Sequence, residues 1–401
     1  MQGIAADILI IGAGVIGISI ALELKKQFPD QKIIIIEKES HAGFHASGRN
    51  SGVLHAGFYY TADSLKAKFC RDGNIAMRQY CLENNLKINQ CGKLVITKDS
   101  SELNNLKILY DRGIANNVNL KLISEKEARE IEPRVKTVER AIFSPDTASV
   151  DPVEVINLLV KQAEALGIQF LFDEKYSSNN IKEKKVFTDK NKISTGFVIN
   201  AAGLYADKIA KQYGFSADYE IVPFKGLYLY SDEKPGALKT HIYPVPDLNY
   251  PFLGVHFTIT AAGKIKIGPT AIPAFWREQY NGFSRFSTTE LIKILSLEAI
   301  LFLQNKFHFR QVAIHELKKY NKQFLANQAK YMLDDMNIEN FKVWGKPGIR
   351  AQLINKKDNS LVSDFCFEGD RYSFHVLNAV SPAFTCAFPF AQYLVSKLFS
   401  N

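Results

Sequence analysis

Cysteine is scarce in this chain, and the five present, Cys70, Cys81, Cys91, Cys366 and Cys386, form no CxxC pair and no ligand spacing. A disulfide framework and a metal cluster therefore have no support, no metal is expected, and a reducing compartment fits best. Long basic blocks are also missing, since none exceeds the scale of Lys182-Glu183-Lys184-Lys185. Lys and Arg number 50 against 41 acidic residues, a formal +9, yet no zinc-finger or RNA-binding signature accompanies them, so nucleic acid is not an expected partner. The apolar run from Ile8 to Leu24 is interrupted by Gly12, Gly14 and Gly17 and preceded by acidic Asp7. It is expected to be neither a signal peptide nor a membrane span. No internal repeat, low-complexity tract or flexible linker is visible.

With 401 residues, 46% of them hydrophobic, the chain can bury two cores. Ile8 to Ile11 is a short apolar run, the next 11 or so residues read as a helix, and Lys32 to Ile36 is a second apolar run ending at Glu37. That is a βαβ unit. A further helix is marked by Asp151 as cap, Pro152 at its first position, an apolar face of Val153, Ile156, Leu159, Val160 and Ala163, and Gly167 as stop. Strands are expected at 168–172 and 197–200. From about 218 to 270 short β-rich runs (Ile221 to Tyr230, Phe252 to Thr260, Lys264 to Ile267) suggest an antiparallel sheet. Residues 287–335 read as two amphipathic helices whose aromatics belong in a core. Ser381 is placed to cap, and Pro382 to open, a closing helix.

Gly12-Ala13-Gly14-Val15-Ile16-Gly17 is a dinucleotide fingerprint in the required setting. A strand precedes it, a helix follows, and Glu37, twenty residues past Gly17, can accept hydrogen bonds from ribose hydroxyls. Glycines let backbone approach a pyrophosphate, whose charge the helix N-terminus offsets. The fingerprint alone does not separate FAD from NAD. Val198-Ile199-Asn200-Ala201-Ala202-Gly203, with a helix from about Leu204 to Ala210, resembles the second dinucleotide motif of FAD-dependent oxidoreductases of the D-amino-acid-oxidase superfamily. The cofactor implied is FAD, with Ala202 and Gly203 beside it.

The segment from Ala46-Ser47-Gly48-Arg49-Asn50-Ser51-Gly52-Val53-Leu54-His55 to Tyr59-Tyr60, followed by Ser64-Leu65-Lys66-Ala67-Lys68, resembles the L-2-hydroxyglutarate dehydrogenase family. Cys91-Gly92-Lys93-Leu94, Pro223-Phe224-Lys225-Gly226, Leu253 to Thr258, Gly268-Pro269, Gly348 to Gln352 and Asn378 to Ala383 agree in order. The departures are Lys225, where arginine is expected, Leu227, where the family usually carries an acidic residue, and residues 271–340. The resemblance implies cofactor contacts at Lys38, Ser47, Arg49, Asn50, Ser51 and Gly348, in addition to Gly12, Gly14, Gly17 and Glu37. It places His55 and His256 beside the flavin, and Ser381-Pro382 where a helix start would face the flavin pyrimidine ring.

Oxidising a 2-hydroxy acid removes a hydride from C2 and a proton from the hydroxyl, so a base and carboxylate-holding cations are needed beside the flavin. His256 is the expected base and His55 a second contact, although a lone histidine in an apolar strand is more often structural. Arg350 and Lys225 are the candidate carboxylate ligands. Of Tyr59 and Tyr60, alternation along a strand would admit only one to the pocket.

The reading is thus a mixed α/β protein. A Rossmann-like FAD domain is expected at 1–85, 140–215 and 341–401, a substrate domain on an antiparallel sheet at 86–139 and 216–340, and the site at their interface. The expected reaction is FAD-dependent oxidation of L-2-hydroxyglutarate or a similar L-2-hydroxy acid, electrons passing to a membrane quinone or another carrier. A cytoplasmic location is expected, with peripheral contact to the inner membrane left open. The alternatives are a superfamily member acting on an amine, an amino acid or glycerol 3-phosphate, and a flavin-binding scaffold or assembly factor without turnover.

Overall fold

A computed structural model describes residues 3–247, 253–305 and 308–398. The chain divides into two compact units, Met1–Asn50, Pro152–Val222 and Arg350–Asn401 in the first, Ser51–Asp151 and Pro223–Ile349 in the second. Residues 51–85 and 140–151 thus cluster with the second unit and not with the nucleotide-binding segments expected to hold them. The cause is local pairing: Val53–Leu54 and Ile88–Asn89 both hydrogen-bond to Ala148–Val150 in a small three-stranded sheet.

The first unit is built on parallel strands. Gly3–Ile11 lies between Ile33–Ile36 and Lys192–Asn200, with Gln169–Leu171 outside the former and Ser373–Asn378 beside the latter. A parallel sheet buried on both faces reads as an unbroken apolar run, and Ile33, Ile34, Ile35 and Ile36 are all buried. Helix Val15–Gln27 follows the first strand and packs against helices Pro152–Ala165 and Ala383–Leu398. The expected helix after Gly203 begins as a single 3-10 turn, Gly203–Tyr205, before Ala206–Gln212 becomes α-helical. The closing helix begins at Ala383, one residue later than expected, with the Cys386 N–H bonded to the Pro382 carbonyl at 3.1 Å.

The second unit centres on an eight-stranded sheet ordered Phe341–Trp344, Leu229–Ser231, Ile265–Gly268, His256–Ile259, His241–Pro244, Lys93–Ile96, Arg140–Ser144, Lys121–Ser124. All neighbours are antiparallel except His241–Pro244 with Lys93–Ile96. The run expected from Ile221 to Tyr230 is divided into Tyr219–Gly226 and Leu229–Ser231, which join different sheets. Part of the run expected from Phe252 lies outside the described residues.

Residues 288–329 form three helices where two were expected: Thr288–Gln304, Phe309–Lys318 and Lys322–Ala329. Asn305 takes a left-handed conformation at φ 49° that ends the first, and the Asn321 side chain caps the third by accepting the Phe324 N–H at 3.0 Å. The core assignment for this stretch also needs correction. Helix Thr288–Gln304 turns Glu290, Ile294, Glu298 and Leu301 inward, while Ile292 (69%) and Leu303 (75%) are exposed, as are two of the aromatics expected in the core, Phe302 (37%) and Tyr320 (48%). Among the described residues no helix is long and apolar enough to cross a membrane.

Candidate active site

Strands Ile11, Ile36 and Asn200 end together at one edge of the parallel sheet. Gly12 continues the first strand at φ 108°, and a Cβ there would lie 2.7 Å from the Ala201 carbonyl oxygen. Only glycine fits. At Gly17 the close contact is with the Gly12 carbonyl oxygen, 2.1 Å from an ideal Cβ, so this glycine sets the approach of helix to strand. Ser47 Oγ accepts the Val15 N–H at 2.9 Å, which ties the 46–50 loop to the helix start. Helix geometry leaves first-turn N–H groups without intrahelical acceptors. The Glu37 carboxylate accepts the Ala13 N–H at 2.9 Å through Oε2 and the Glu39 N–H at 3.0 Å through Oε1. Its position at the strand end is therefore fixed. A glycine cradle, a helix N-terminus and an anchored carboxylate fit the adenosine diphosphate portion of a dinucleotide.

Several residues expected at the cofactor make local contacts. Lys38 Nζ donates to Glu39 at 2.5 Å and lies 5.4 Å from the Tyr205 ring centre. Arg49 Nε donates to the Phe44 carbonyl at 2.7 Å, and Asn50 Nδ2 to that of Ser47 at 2.7 Å. Ser51 Oγ accepts the Val53 N–H at 3.2 Å. The Ala202 N–H bonds Asn200 Oδ1 at 3.2 Å, and Gly203 has φ 51°. Gly348 opens strand Gly348–Asn355, which also carries Arg350. Ser381 is exposed and Pro382 is buried just before the last helix. As the helix starts at Ala383, Ser381 falls outside the cap position assigned to it.

In the second unit the eight-stranded sheet has two unlike faces. One presents Leu94, Ile96, Ile242, Phe257, Ile259, Ile265, Ile267 and Leu229 to an apolar core. Registers His241 to Lys93, Phe257 to Ile242 and Thr258 to Lys266 put Lys93, His241, Tyr243, His256, Thr258 and Lys266 on the other face, by the alternation of strand side chains. These polar residues are buried. Buried polar rows are unusual and mark chemistry or binding more often than packing.

His256 is held in a defined tautomer. Its Nδ1 lies 2.8 Å from the Gly254 carbonyl, which can only accept, so Nδ1 carries the proton and Nε2 is left as an acceptor. The imidazole stacks on Tyr243 with centroids 3.7 Å apart. Burial, together with Lys93, His55 and His241, holds its pKa well below the usual range, against the opposing pull of Gly254. His55 is likewise drawn down to about 3 by burial and then by Lys93. His241 Nδ1 accepts the Ile259 N–H at 3.0 Å, and burial and neighbouring cations bring it to about 3.

Tyr59 and Tyr60 lie in a turn, not a strand. Tyr59 joins the polar face, its ring 4.8 Å from Lys93 Nζ, whereas Tyr60 stands 5.7 Å from Lys66 Nζ. Lys225 lies on a strand of a different sheet, its Nζ 3.4 Å from the Tyr320 hydroxyl. The structure thus brings His55, His256 and Tyr59 together with three residues not singled out from the sequence, Lys93, His241 and Tyr243. The local signal is the alternation in His241-Ile242-Tyr243 and His256-Phe257-Thr258, apolar on one side and polar or aromatic on the other, whereas Lys93-Leu94-Val95-Ile96 carries none, since Val95 is apolar on the Lys93 side.

This cluster makes stability pH-dependent. A base whose folded pKa lies below its unfolded value costs stability as pH falls through the unfolded value, because the unfolded chain takes the proton first. For His55, His241 and His256 that loss begins near pH ~6.5 and, for the first two, continues towards about 3. The Tm should therefore fall between pH 7 and 4, with net proton uptake on unfolding. Calorimetry of wild type and His241→Asn checks this: the variant should show a shallower slope.

A family model described as FAD dependent oxidoreductase matches residues 7–395, and the chain belongs to that family. Within it, the chain is similar to L-2-hydroxyglutarate dehydrogenase of Salmonella houtenae, with 34% identity covering 98% of this chain and 93% of that one. It is also 33% identical to the mitochondrial L-2-hydroxyglutarate dehydrogenase of Homo sapiens, over 98% of this chain and 88% of the human one. Among solved structures, FAD-bound L-alpha-glycerophosphate oxidase of Mycoplasma pneumoniae superposes with a TM-score of 0.76 at 23% identity, over 99% of this chain and 95% of that chain. That last likeness defines the fold.

Proposed function

We propose that the protein oxidises L-2-hydroxyglutarate to the 2-oxo acid. The observation that carries the reading is His256, a buried neutral imidazole whose Nε2 is free to accept because Nδ1 is committed to Gly254, in a chain similar throughout to L-2-hydroxyglutarate dehydrogenases. FAD, when bound, supplies the hydride acceptor at its N5. Gly12, Gly14, Gly17 and Glu37 would hold it, and the resemblance to L-2-hydroxyglutarate dehydrogenases adds Lys38, Ser47, Arg49, Asn50, Ser51, Ala202, Gly203 and Gly348. His256 Nε2 takes the hydroxyl proton, and His55 supplies a second contact. Arg350, with a planar pair of donors, is assigned to a substrate carboxylate.

Mixing the yellow holoenzyme anaerobically with L-2-hydroxyglutarate should bleach the flavin absorbance, while the D-enantiomer and L-lactate should not. Bleaching by glycerol 3-phosphate, an amine or an amino acid instead would move the substrate. No bleaching by any of these would favour a flavin-binding scaffold.

The electron acceptor in this reading is a membrane quinone. Support comes from the exposed apolar side chains of Phe283, Ile292 and Leu303 and from exposed Lys293, Arg310 and Lys318 in the same stretch of the chain. Apolar insertion combined with roughly 1 kcal/mol per nearby cation favours an anionic bilayer surface. Co-sedimentation with phosphatidylglycerol vesicles should be strong at low salt and reduced in Phe283→Asp/Leu303→Asp. Equal sedimentation of the two proteins would remove this assignment.

A further inference from the structure

Lys93 is fully buried, on the strand next to His241, and its Nζ has no hydrogen-bond partner among the described residues. Three aromatic rings enclose it: Phe58 at 4.6 Å, Tyr59 at 4.8 Å and Tyr243 at 4.6 Å from the ammonium. The Tyr59 hydroxyl is also buried and without a partner among the described residues. Ring faces offset part of the cost of burying an ammonium but provide no acceptor lone pair. A buried donor pair left in this state lowers stability, and such arrangements are retained where a ligand completes them.

We propose that Lys93 and Tyr59 form a carboxylate subsite that holds one end of a dicarboxylate substrate beside His256. This rests on the reaction proposed above and adds a specificity determinant to it. The position follows from the sheet: Tyr243 touches both partners, stacking on His256 at 3.7 Å and facing Lys93 Nζ at 4.6 Å. The neighbouring cations are otherwise engaged, Lys266 Nζ with the Ser51 carbonyl at 3.1 Å and Lys225 Nζ with the Tyr320 hydroxyl at 3.4 Å. One ammonium and one phenol suit a planar monoanion better than a phosphate dianion, which calls for more donors. That separates the subsite from one for a phosphate ester. Burial draws the Lys93 ammonium down to about 7, and an arriving carboxylate, by restoring the charged form, would gain the full charge-assisted bond.

The test uses the FAD-loaded enzyme and the variants Lys93→Met and Tyr59→Phe. Methionine suits an aromatic box and removes the unpaired charge, so the Tm of Lys93→Met should equal or exceed that of wild type. Glutarate, which lacks the reacting hydroxyl, is titrated and its binding read from the flavin spectrum. Its affinity should fall about 10- to 100-fold in Lys93→Met, the range for a lost bond to a charged group, and less in Tyr59→Phe. The kcat/KM for L-2-hydroxyglutarate should fall in parallel, with a loss for L-2-hydroxybutyrate at least about tenfold smaller. Unchanged glutarate binding, or equal losses for both substrates, would overturn the subsite, as would a wild type that binds no glutarate. A wild type that binds glutarate through Lys93 yet oxidises no 2-hydroxy acid would keep the subsite and discard the reaction.

Discussion

Gly17→Ala should yield a protein that purifies without FAD. The added Cβ would stand 2.1 Å from the Gly12 carbonyl oxygen and 3.4 Å from Ile10 Cγ2. The first of these is backbone at the end of a buried strand, which side-chain rotation cannot relieve. Overpacking of this kind costs about 1–3 kcal/mol when the surroundings can yield. Here the yielding part would be the approach of helix Val15–Gln27 to its strand, the same geometry that presents the helix-start amides. Loss of a cofactor present at a thousand times its Kd removes a further stabilisation of about 4 kcal/mol, so the apoprotein should also unfold at lower temperature. Gly14→Ala is the contrasting case, since its Cβ would meet only Ser47 Oγ, at 3.1 Å. It should fold normally and bind FAD more weakly. The measurement is the ratio of flavin to protein absorbance after purification, with calorimetry of each variant. A fully yellow Gly17→Ala would show that the helix approach does not position the cofactor.

The nucleotide-binding half was legible because its signals are local. Strand, glycine turn, helix and carboxylate follow one another within 3–37, and the parallel sheet announces itself through Ile33–Ile36 without alternation. The catalytic face was legible only in part. His55 and His256 stood out within long matching segments, whereas Lys93 and His241 become neighbours through the parallel pairing of strands about 150 residues apart, a contact that no local pattern specifies. Lys225 shows the same limit from the other side: a cation named for its matching segment lies on a strand that pairs with Ile272–Pro273, with its Nζ 3.4 Å from the Tyr320 hydroxyl, neighbours that no local pattern announces. The helices after 287 were misjudged because their apolar content was counted and its direction was not: Glu290 and Glu298 face inward while Ile292 and Leu303 face out.

His256→Ala should lower the rate of flavin reduction by about 10²- to 10⁴-fold, the usual contribution of a positioned general base. FAD content should be unaffected, because the residues assigned to the nucleotide, Gly12, Gly14, Gly17 and Glu37, are unchanged. The same geometry predicts an unusual pH profile in the wild type. An ordinary histidine base would lose activity below pH ~6.5 as it takes up a proton, but burial and the cluster of Lys93, His55 and His241 hold His256 neutral well below that value. The rate of reduction should therefore stay level through pH 5.5, provided it is measured within the time the fold survives in acid. His256→Asn tests the tautomer argument separately. Its amide nitrogen, attached to Cγ as Nδ1 is, could donate to Gly254 and would leave no basic nitrogen at the Nε2 position, so that contact would be kept while the rate falls as far as in alanine. A C2-deuterated substrate should slow reduction in both the wild type and the variants, as hydride transfer remains the bond-breaking step. If His256→Asn retained wild-type reduction, the base would lie elsewhere, and His55, depressed to about 3 by burial and Lys93, would be next to replace.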